Sequence, residues 1–240
     1  DNDPYHPLYF SGSSSSRHAN YAYADILGRH AYWCELGFPP RDTPNAVAGP
    51  LDWAYANASE PNRRPLFFMP QAEMTSASRR PHGPAQRRVT VYMGLIHGAK
   101  SMIYWRGPLF HAATPASMKE LSAEINAMAP ALVRRSPPQE LRVTPAPGGG
   151  AAIAHALYKE SAEGYGLLLA ANASAREVGV EWDLAALGKE VRVEDFFGRK
   201  ARETRGGVFT DKLAGYGARA YRVLNARRIG DEPVVIAARL

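Results

Sequence analysis

The segment RVTVYMGLIHGAKSMIYW, residues 88–105, limits the possible folds of this chain more than any other. Its first part has apolar residues at the helical spacings of three and four, at Val89, Tyr92 and Ile96. The pattern predicts a helix over 85–98 that Gly98 ends, because glycine readily adopts the left-handed turn found after helices. KSMIYW at 100–105 then predicts a strand with two aromatic residues at its end.

The same alternation of strand and helix runs through the first half of the chain. The apolar run PLFFMPQAE at 65–73 predicts a strand before the helix. After the strand at 100–105, Thr114 and Pro115 supply the N-cap and first-turn proline of a further helix. One apolar stripe follows that helix: Met118, Leu121, Ile125, Met128 and Leu132. Short links between such elements predict an α/β domain over 1–135, with helices packed on a parallel sheet.

The second half of the chain has a different pattern. Pro-Pro and Gly-Gly-Gly interrupt it before residue 151, and short extended runs follow, separated by turn residues at roughly ten-residue intervals. These runs are YGLLLAANAS, VGVEWDL, EVRVEDFFG, GVFTDKL and ARAYRVLN. The pattern predicts an antiparallel β-sandwich domain over 136–240, with the domain boundary near residue 136.

Composition excludes several classes of protein. The 240 residues are 45% hydrophobic and 22% charged, with no apolar run near the ~20 residues that cross a bilayer, so no membrane insertion is expected. The formal charge is +6, but the arginines are scattered in pairs among acidic neighbours, so no nucleic-acid partner is expected. A lone cysteine, Cys34, and the absence of metal-ligand spacing predict no metal and no cofactor.

The spacing of the glycines distinguishes between two α/β folds. A doubly wound nucleotide-binding sheet needs a glycine-rich phosphate turn after a strand, and PAPGGGAAIAHA has neither GxGxxG nor GxxxxGK spacing. The alternative is the (β/α)8 barrel, in which functional groups lie at the carboxyl ends of the strands. We therefore expect the C-terminal portion of a (β/α)8 TIM barrel.

The order of the motifs resembles the last third of the catalytic barrel in retaining, clan A-like glycoside hydrolases. The motifs are DPYH, a long irregular insertion, RPLFFMPQAE, RVTVYMGLIHGAKSMIYW and a helix ending INAMAPAL. In that superfamily the strands at DPYH, RPLFFMPQAE and KSMIYW are the sixth, seventh and eighth of the barrel. A β-sandwich with a Tyr-Gly-x-x-x-Tyr element, here YGARAY, often follows. The resemblance implies hydrolysis of a glycosidic bond of a carbohydrate substrate through two carboxylates.

The resemblance also implies which residues form the site. Glu73, just past the seventh strand, falls near the place of the nucleophile; a substrate hydrogen bond and a surface ion pair are the alternatives. Gln71 shares its side of the strand, because side chains alternate. The second carboxylate would come from the fourth strand, which these residues do not include. We expect the rest of the barrel to be supplied by upstream sequence, because DNDPYHPLYF is neither a Met start nor a signal peptide.

The remaining candidates are substrate-binding residues. Three lie in DPYH at the presumed end of the sixth strand, where a turn is the alternative: Asp3, Tyr5 and His6. Three follow the eighth strand, where an aromatic face would suit a sugar ring: Tyr104, Trp105 and Arg106. His111 is a further rim candidate, whereas His97 is expected to cap the helix that Gly98 ends.

Two other functions stay open from the sequence. A non-catalytic carbohydrate-binding barrel could keep the aromatic residues and lack the acid pair. A structural or assembly protein could use the sandwich for contacts. Sugar identity, linkage and exo or endo action are not determined by these residues.

Overall fold

The computed structural model describes residues 9–12, 25–30, 47–59, 65–70, 83–104, 114–134, 141–144, 154–229 and 236–239. The chain divides into two compact units, Asp1–Pro115 and Ala116–Leu240. The sequence places the boundary later, near residue 136, and that boundary stays a prediction.

The first unit contains a four-stranded sheet whose strands are all parallel and lie in chain order. The strands are β1 (Tyr9–Gly12), β2 (Ile26–His30), β3 (Leu66–Met69) and β4 (Ala99–Met102). Helix α1 (Ala48–Ser59) connects β2 to β3, and α2 (Pro84–Ile96) connects β3 to β4. A doubly wound sheet would reverse its strand order at a switch point, and these four strands show no reversal.

The two faces of this sheet carry different neighbours. Arg29 pairs in register with Phe68; its guanidinium lies 6.0 Å from the centre of the Trp53 ring of α1, and Phe68 packs on Gly94 of α2. Both helices therefore cover one face, which we call the helix face.

The opposite face carries the alternate residues of the same strands. Gly28 pairs with Phe67, and the ring of Tyr9 lies against Gly28 and meets Phe67 edge to face, with ring centres 5.2 Å apart. We call this the Tyr9 face. Successive side chains of a strand point to opposite faces, so the register assigns His30 and Met69 to the Tyr9 face as well.

The helix and turn predicted in residues 88–105 are confirmed. Pro84 occupies the first helical position of α2, and the Gly83 amide donates to the Gln86 side chain at 2.9 Å. Gly98 ends the helix with a φ of 95°, which a residue with a Cβ rarely adopts, and its amide donates to the Leu95 carbonyl. The chain can thus turn from α2 directly into β4.

One part of the predicted strand count is wrong. The sequence assigned DPYH as the sixth strand and placed an irregular insertion between it and RPLFF. The strand that pairs with β3 on the side away from β4 is β2, Ile26–His30, within that expected insertion. Its interior residues are buried, with Leu27 at 1% exposure and Arg29 at 4%, so tertiary packing and not local periodicity makes this strand.

The described residues of the second unit form two sheets. The five-stranded sheet has the order β10-β9-β12-β7-β6 and is antiparallel; the other has the order β11-β8-β13-β5, with β13 and β5 parallel. The strands are β5 (Leu141–Thr144), β6 (Ala154–Glu160), β7 (Gly166–Asn172), β8 (Val178–Asp183), β9 (Arg192–Asp195), β10 (Ala201–Arg202), β11 (Val208–Leu213), β12 (Ala218–Leu224) and β13 (Ile236–Arg239). Each extended run predicted from the sequence contains one of these strands.

Side chains from both sheets pack into one buried cluster of the described residues. Trp182 and Phe209 come from one sheet, and Tyr158, Leu168 and Tyr221 from the other. A charged network adds to this connection: Arg202 bonds Asp195 at 2.6 Å and Asp211 at 3.0 Å, and the Tyr221 hydroxyl donates to Asp211 at 2.7 Å.

Helix α3 (Thr114–Leu132) begins at the division between the units and is held by residues of the second. The buried ammonium of Lys159 on β6 donates to the carbonyls of Leu132 and Arg134, at 2.7 and 2.6 Å. Lysine at this place satisfies carbonyls that a helix end leaves unpaired. These bonds explain why α3 groups with the sheets that follow it.

We expect Gly94→Ala to destabilise the first unit. A Cβ at this position would overlap the Phe68 ring, and forced repacking of this kind costs about 1–3 kcal/mol. That exceeds the ~0.5–1 kcal/mol by which alanine favours a helix. The measurement is the free energy of unfolding by chemical denaturation.

Gly49→Ala is the matched control, because Gly49 also lies in a helix but has open space around it. It should leave stability unchanged or raise it slightly. Equal stabilisation by both substitutions would show that α2 does not pack this closely on β3.

Candidate functional site

The carboxyl ends of the parallel strands form one edge of the first unit's sheet. This edge holds Gly12, His30, Met69 and Met102. Ligands of parallel α/β folds bind outside the carboxyl ends of the strands, where the βα loops supply the binding groups. We therefore take this edge as the candidate site.

Among the described residues, His30 is a polar side chain that the register brings to this edge on the Tyr9 face. It is half-buried beside Met69, the last residue of β3. Burial, and to a smaller extent the positive charge of Arg29, lowers the pKa of His30 below its ordinary value. At neutral pH the imidazole is therefore neutral, and it offers one donor and one acceptor nitrogen.

Tyr104 follows β4 and lies near the helix layer. The Ile103 amide donates to the Phe68 carbonyl at 3.1 Å, so pairing with β3 continues past Met102. The Tyr104 hydroxyl is buried and has no hydrogen-bond partner in the described part of the chain. Burial raises its pKa to about 12, while the charge of Arg87 on α2 acts in the opposite direction. The substrate contact expected of Tyr104 stays a prediction.

The other predicted site residues lie outside the described residues. They are Asp3, Tyr5, His6, Gln71, Glu73, Trp105, Arg106 and His111. Their roles stay predictions. The position predicted for DPYH beside β3 is occupied by β2, which pairs with β3 on the side away from β4.

His97 lies at the opposite edge of the sheet, immediately before β4 begins. Its Nδ1 atom is 2.5 Å from an Asp52 carboxylate oxygen of α1, and its amide donates to the Met93 carbonyl. The residue thus joins the end of α2 to α1. This contact supports the structural role that the sequence indicated for it.

The described carboxylates of the first unit do not lie at the candidate edge. Asp25 is exposed and precedes β2, at the amino edge, and Asp52 bonds His97. Within the described residues, no group of three or more His, Cys, Asp or Glu side chains could hold a metal ion. None of the described helices combines the length and apolar character of a membrane span.

The second unit has a cavity of about 170 Å³ beside β9 and β10. Its charged lining includes Arg192, Glu194 and Arg202. Glu194 bonds Arg199 and Arg222, and Arg202 bonds Asp195 and Asp211. Ligand pockets usually measure ~300–1,000 Å³, and these side chains already satisfy one another, so this cavity is a weaker candidate than the strand edge.

The sequence Asn172-Ala173-Ser174 has the pattern of an N-glycosylation acceptor, but it is not a modification site in the folded chain. Asn172 is fully buried, and its amide group donates to the carbonyls of Arg176, Leu213 and Ala214. These bonds hold two turns together. An attached glycan needs an exposed asparagine side chain, which this position does not provide.

Sequence reasoning missed His30 and Arg29. The stretch DILGRH carries a short apolar run that ends in two basic residues, the pattern of a buried strand with polar groups at its carboxyl end. This signal was present but weak, because the flanking residues have no helical or alternating period.

Comparison with solved structures identifies the fold. Alpha-galactosidase I from Mortierella vinacea matches with a TM-score of 0.54 and 8% identity, over 87% of this chain and 56% of that chain. An alpha-galactosidase described as putative, from Bacteroides fragilis, matches with a TM-score of 0.56 and 12% identity, over 89% and 46%. The alpha-amylase of Geobacillus thermoleovorans, complexed with acarbose, matches with a TM-score of 0.54 and 12% identity, over 82% and 53%.

These matches show that the chain shares its fold with glycoside hydrolases, and it spans about half the length of the structures it matches. No family model and no curated protein matches the sequence.

We expect Tyr104→Phe to stabilise the protein by roughly 1 kcal/mol at pH 8, because it removes a buried hydroxyl that has no hydrogen-bond partner among the described residues. The gain should be larger at pH 11. The Tyr104 pKa rises from 10.0 to about 12 on folding. Between pH 10 and 12 the unfolded state loses this proton while the folded state keeps it. Ionisation therefore adds no penalty below pH 10, and the wild-type protein loses stability as the pH rises to 12, whereas the phenylalanine variant does not. Denaturation at both pH values measures this.

Tyr221→Phe is the contrasting variant. Its buried hydroxyl donates to Asp211 at 2.7 Å, so its removal should cost about 1–3 kcal/mol. Equal losses in the two variants would contradict the placement of Tyr104.

Proposed function

We propose that this chain is the C-terminal part of a (β/α)8-barrel glycoside hydrolase, followed by an antiparallel β-sandwich domain. The observation that carries the proposal is the singly wound parallel sheet, with both helices on one face, in a fold shared with glycoside hydrolases. Successive βα units that keep strand order and put their helices on one side are the units of a closed barrel.

In this proposal β1 to β4 are the last four strands of the barrel. β4 is the eighth strand, because α3 and then the sheets of the second unit follow it along the chain. β3 is then the seventh and β2 the sixth. The Tyr9 face becomes the barrel interior, and the carboxyl edge of the sheet becomes part of the mouth, where barrel enzymes place their active sites.

The sandwich part of the proposal is supported by the core of the second unit. Two sheets contribute side chains to one buried cluster that includes Trp182, Leu168 and Val223. Inward-facing residues of two packed sheets form such a core in sandwiches.

We propose a carbohydrate as the substrate and Glu73 as one of two catalytic carboxylates. Glu73 follows β3 in the sequence, and a residue just past a barrel strand lies in the mouth. In a retaining enzyme the nucleophile attacks the anomeric carbon, and the acid/base residue protonates the leaving oxygen and then activates water. The two carboxyl groups must lie ~5–5.5 Å apart. The acid/base residue would come from upstream strands of the full-length protein.

The decisive variant is Glu73→Gln in the full-length protein, assayed with 4-nitrophenyl glycosides of common hexoses and pentoses. It keeps the shape of the side chain and removes its charge, so kcat should fall on the order of 10³-fold or more with little change in binding. Azide added to Glu73→Ala should restore turnover and yield a glycosyl azide, because the anion takes the place of the missing carboxylate.

Glu203→Gln is the matched control, since this side chain is 76% exposed in the second unit. It should leave turnover unchanged. Near-normal turnover in Glu73→Gln would remove Glu73 from the nucleophile's role. Sugar binding without turnover in the unsubstituted protein would instead support the non-catalytic carbohydrate-binding barrel.

A second variant, Trp105→Ala, tests the aromatic contact proposed beside the eighth strand. It should weaken sugar binding by roughly 1–3 kcal/mol, the loss expected for a large apolar contact. Calorimetric titration measures the affinity, with Phe197→Ala, an aromatic residue 38% exposed in the second unit, as control. A largely unfolded Trp105→Ala variant whose remaining folded fraction binds sugar with unchanged affinity would assign Trp105 to the core.

A further inference from the structure

His30 is a half-buried residue at the candidate edge. It is the last residue of β2, and the register pairs it with Met69, the last residue of β3. Both strands therefore end at the same level. A side chain at the end of β2 is at the boundary between the sheet and the loops that follow it.

His30 and its neighbour Arg29 lie on opposite faces of the sheet. Arg29 points to the helix face, where it is 4% exposed and lies over the Trp53 ring. His30 has the opposite direction and shares its face with Gly28 and Phe67. Arg29 thus belongs to the packing of α1, whereas His30 belongs to the face that forms the barrel interior in the proposed function.

The chemistry of His30 at this place suits a sugar. The neutral imidazole donates from one nitrogen and accepts at the other, and a sugar hydroxyl also does both. Its lowered pKa keeps the ring neutral at neutral pH, and a neutral ring suits an uncharged sugar hydroxyl better than an anion. A half-buried ring has fewer conformations to lose on binding than an exposed one.

We infer that the His30 imidazole is a substrate-binding group of the carbohydrate site and holds a sugar hydroxyl at the carboxyl edge of the sheet. This inference rests on the proposed function and adds to it a residue that the sequence pattern did not indicate.

The test compares His30→Ala and His30→Gln in the full-length protein, with the same 4-nitrophenyl glycosides. His30→Ala should raise KM about tenfold or more, the scale of one lost hydrogen bond in a desolvated site, and change kcat much less. His30→Gln should recover part of the loss, because an amide also donates and accepts. Asp25→Asn, at the other end of β2, is the control and should behave like the unsubstituted protein.

A second measurement does not depend on turnover. The imidazole Cε1–H resonance of His30, assigned by its loss in His30→Gln, should shift during titration with methyl glycosides of galactose, glucose and xylose. Turnover with an unchanged KM in folded His30→Ala and no such shift would overturn the inference and leave the proposed function intact.

Absence of turnover together with a saturable His30 shift would support the inference and contradict hydrolysis. Absence of both turnover and any sugar-dependent shift would overturn both.

Discussion

The close approach of α2 to β3 is the constraint on which the first unit depends. Gly94 has no side chain, and the Phe68 ring occupies the space that a Cβ would need. The helix can therefore lie flat on the sheet, and Gly98 then turns the chain into β4. A crossover that returns on the same face as α1 keeps the strands in sequential order, because both connections then have the same right-handed sense.

This arrangement separates the side chains that pack the helices from those at the candidate site, by face and by edge. Arg29 and Phe68 belong to the helix face, and His97 with Asp52 joins the two helices at the amino edge. His30 lies on the other face and at the other edge. Two histidines of the same unit thus lie in different environments, since His97 contacts α1 whereas His30 lies at the edge where ligands of parallel α/β folds bind.

The second unit depends on a different kind of contact. Its two sheets share an apolar core, and at one side the buried Tyr221 hydroxyl, the Asp211 carboxylate and the Arg202 guanidinium connect them through hydrogen bonds. A buried carboxylate needs such partners, because leaving it unpaired would cost several kcal/mol. Because hydrogen bonds require defined distances and angles, this network fixes the relative position of the two sheets more specifically than apolar burial alone would.

The sequence by itself determined the elements whose signals are local. The period of apolar residues and the glycine at 98 set the limits of α2, and runs separated by turn residues marked β7, β8, β9, β11 and β12. Only the tertiary structure decided that Ile26–His30 is a strand beside β3, because its burial comes from Trp53 and neighbouring strands and not from its own pattern. The face of His30 was decided in the same way. Register is a relation between segments distant in sequence, and a one-residue shift would move this side chain to the opposite face.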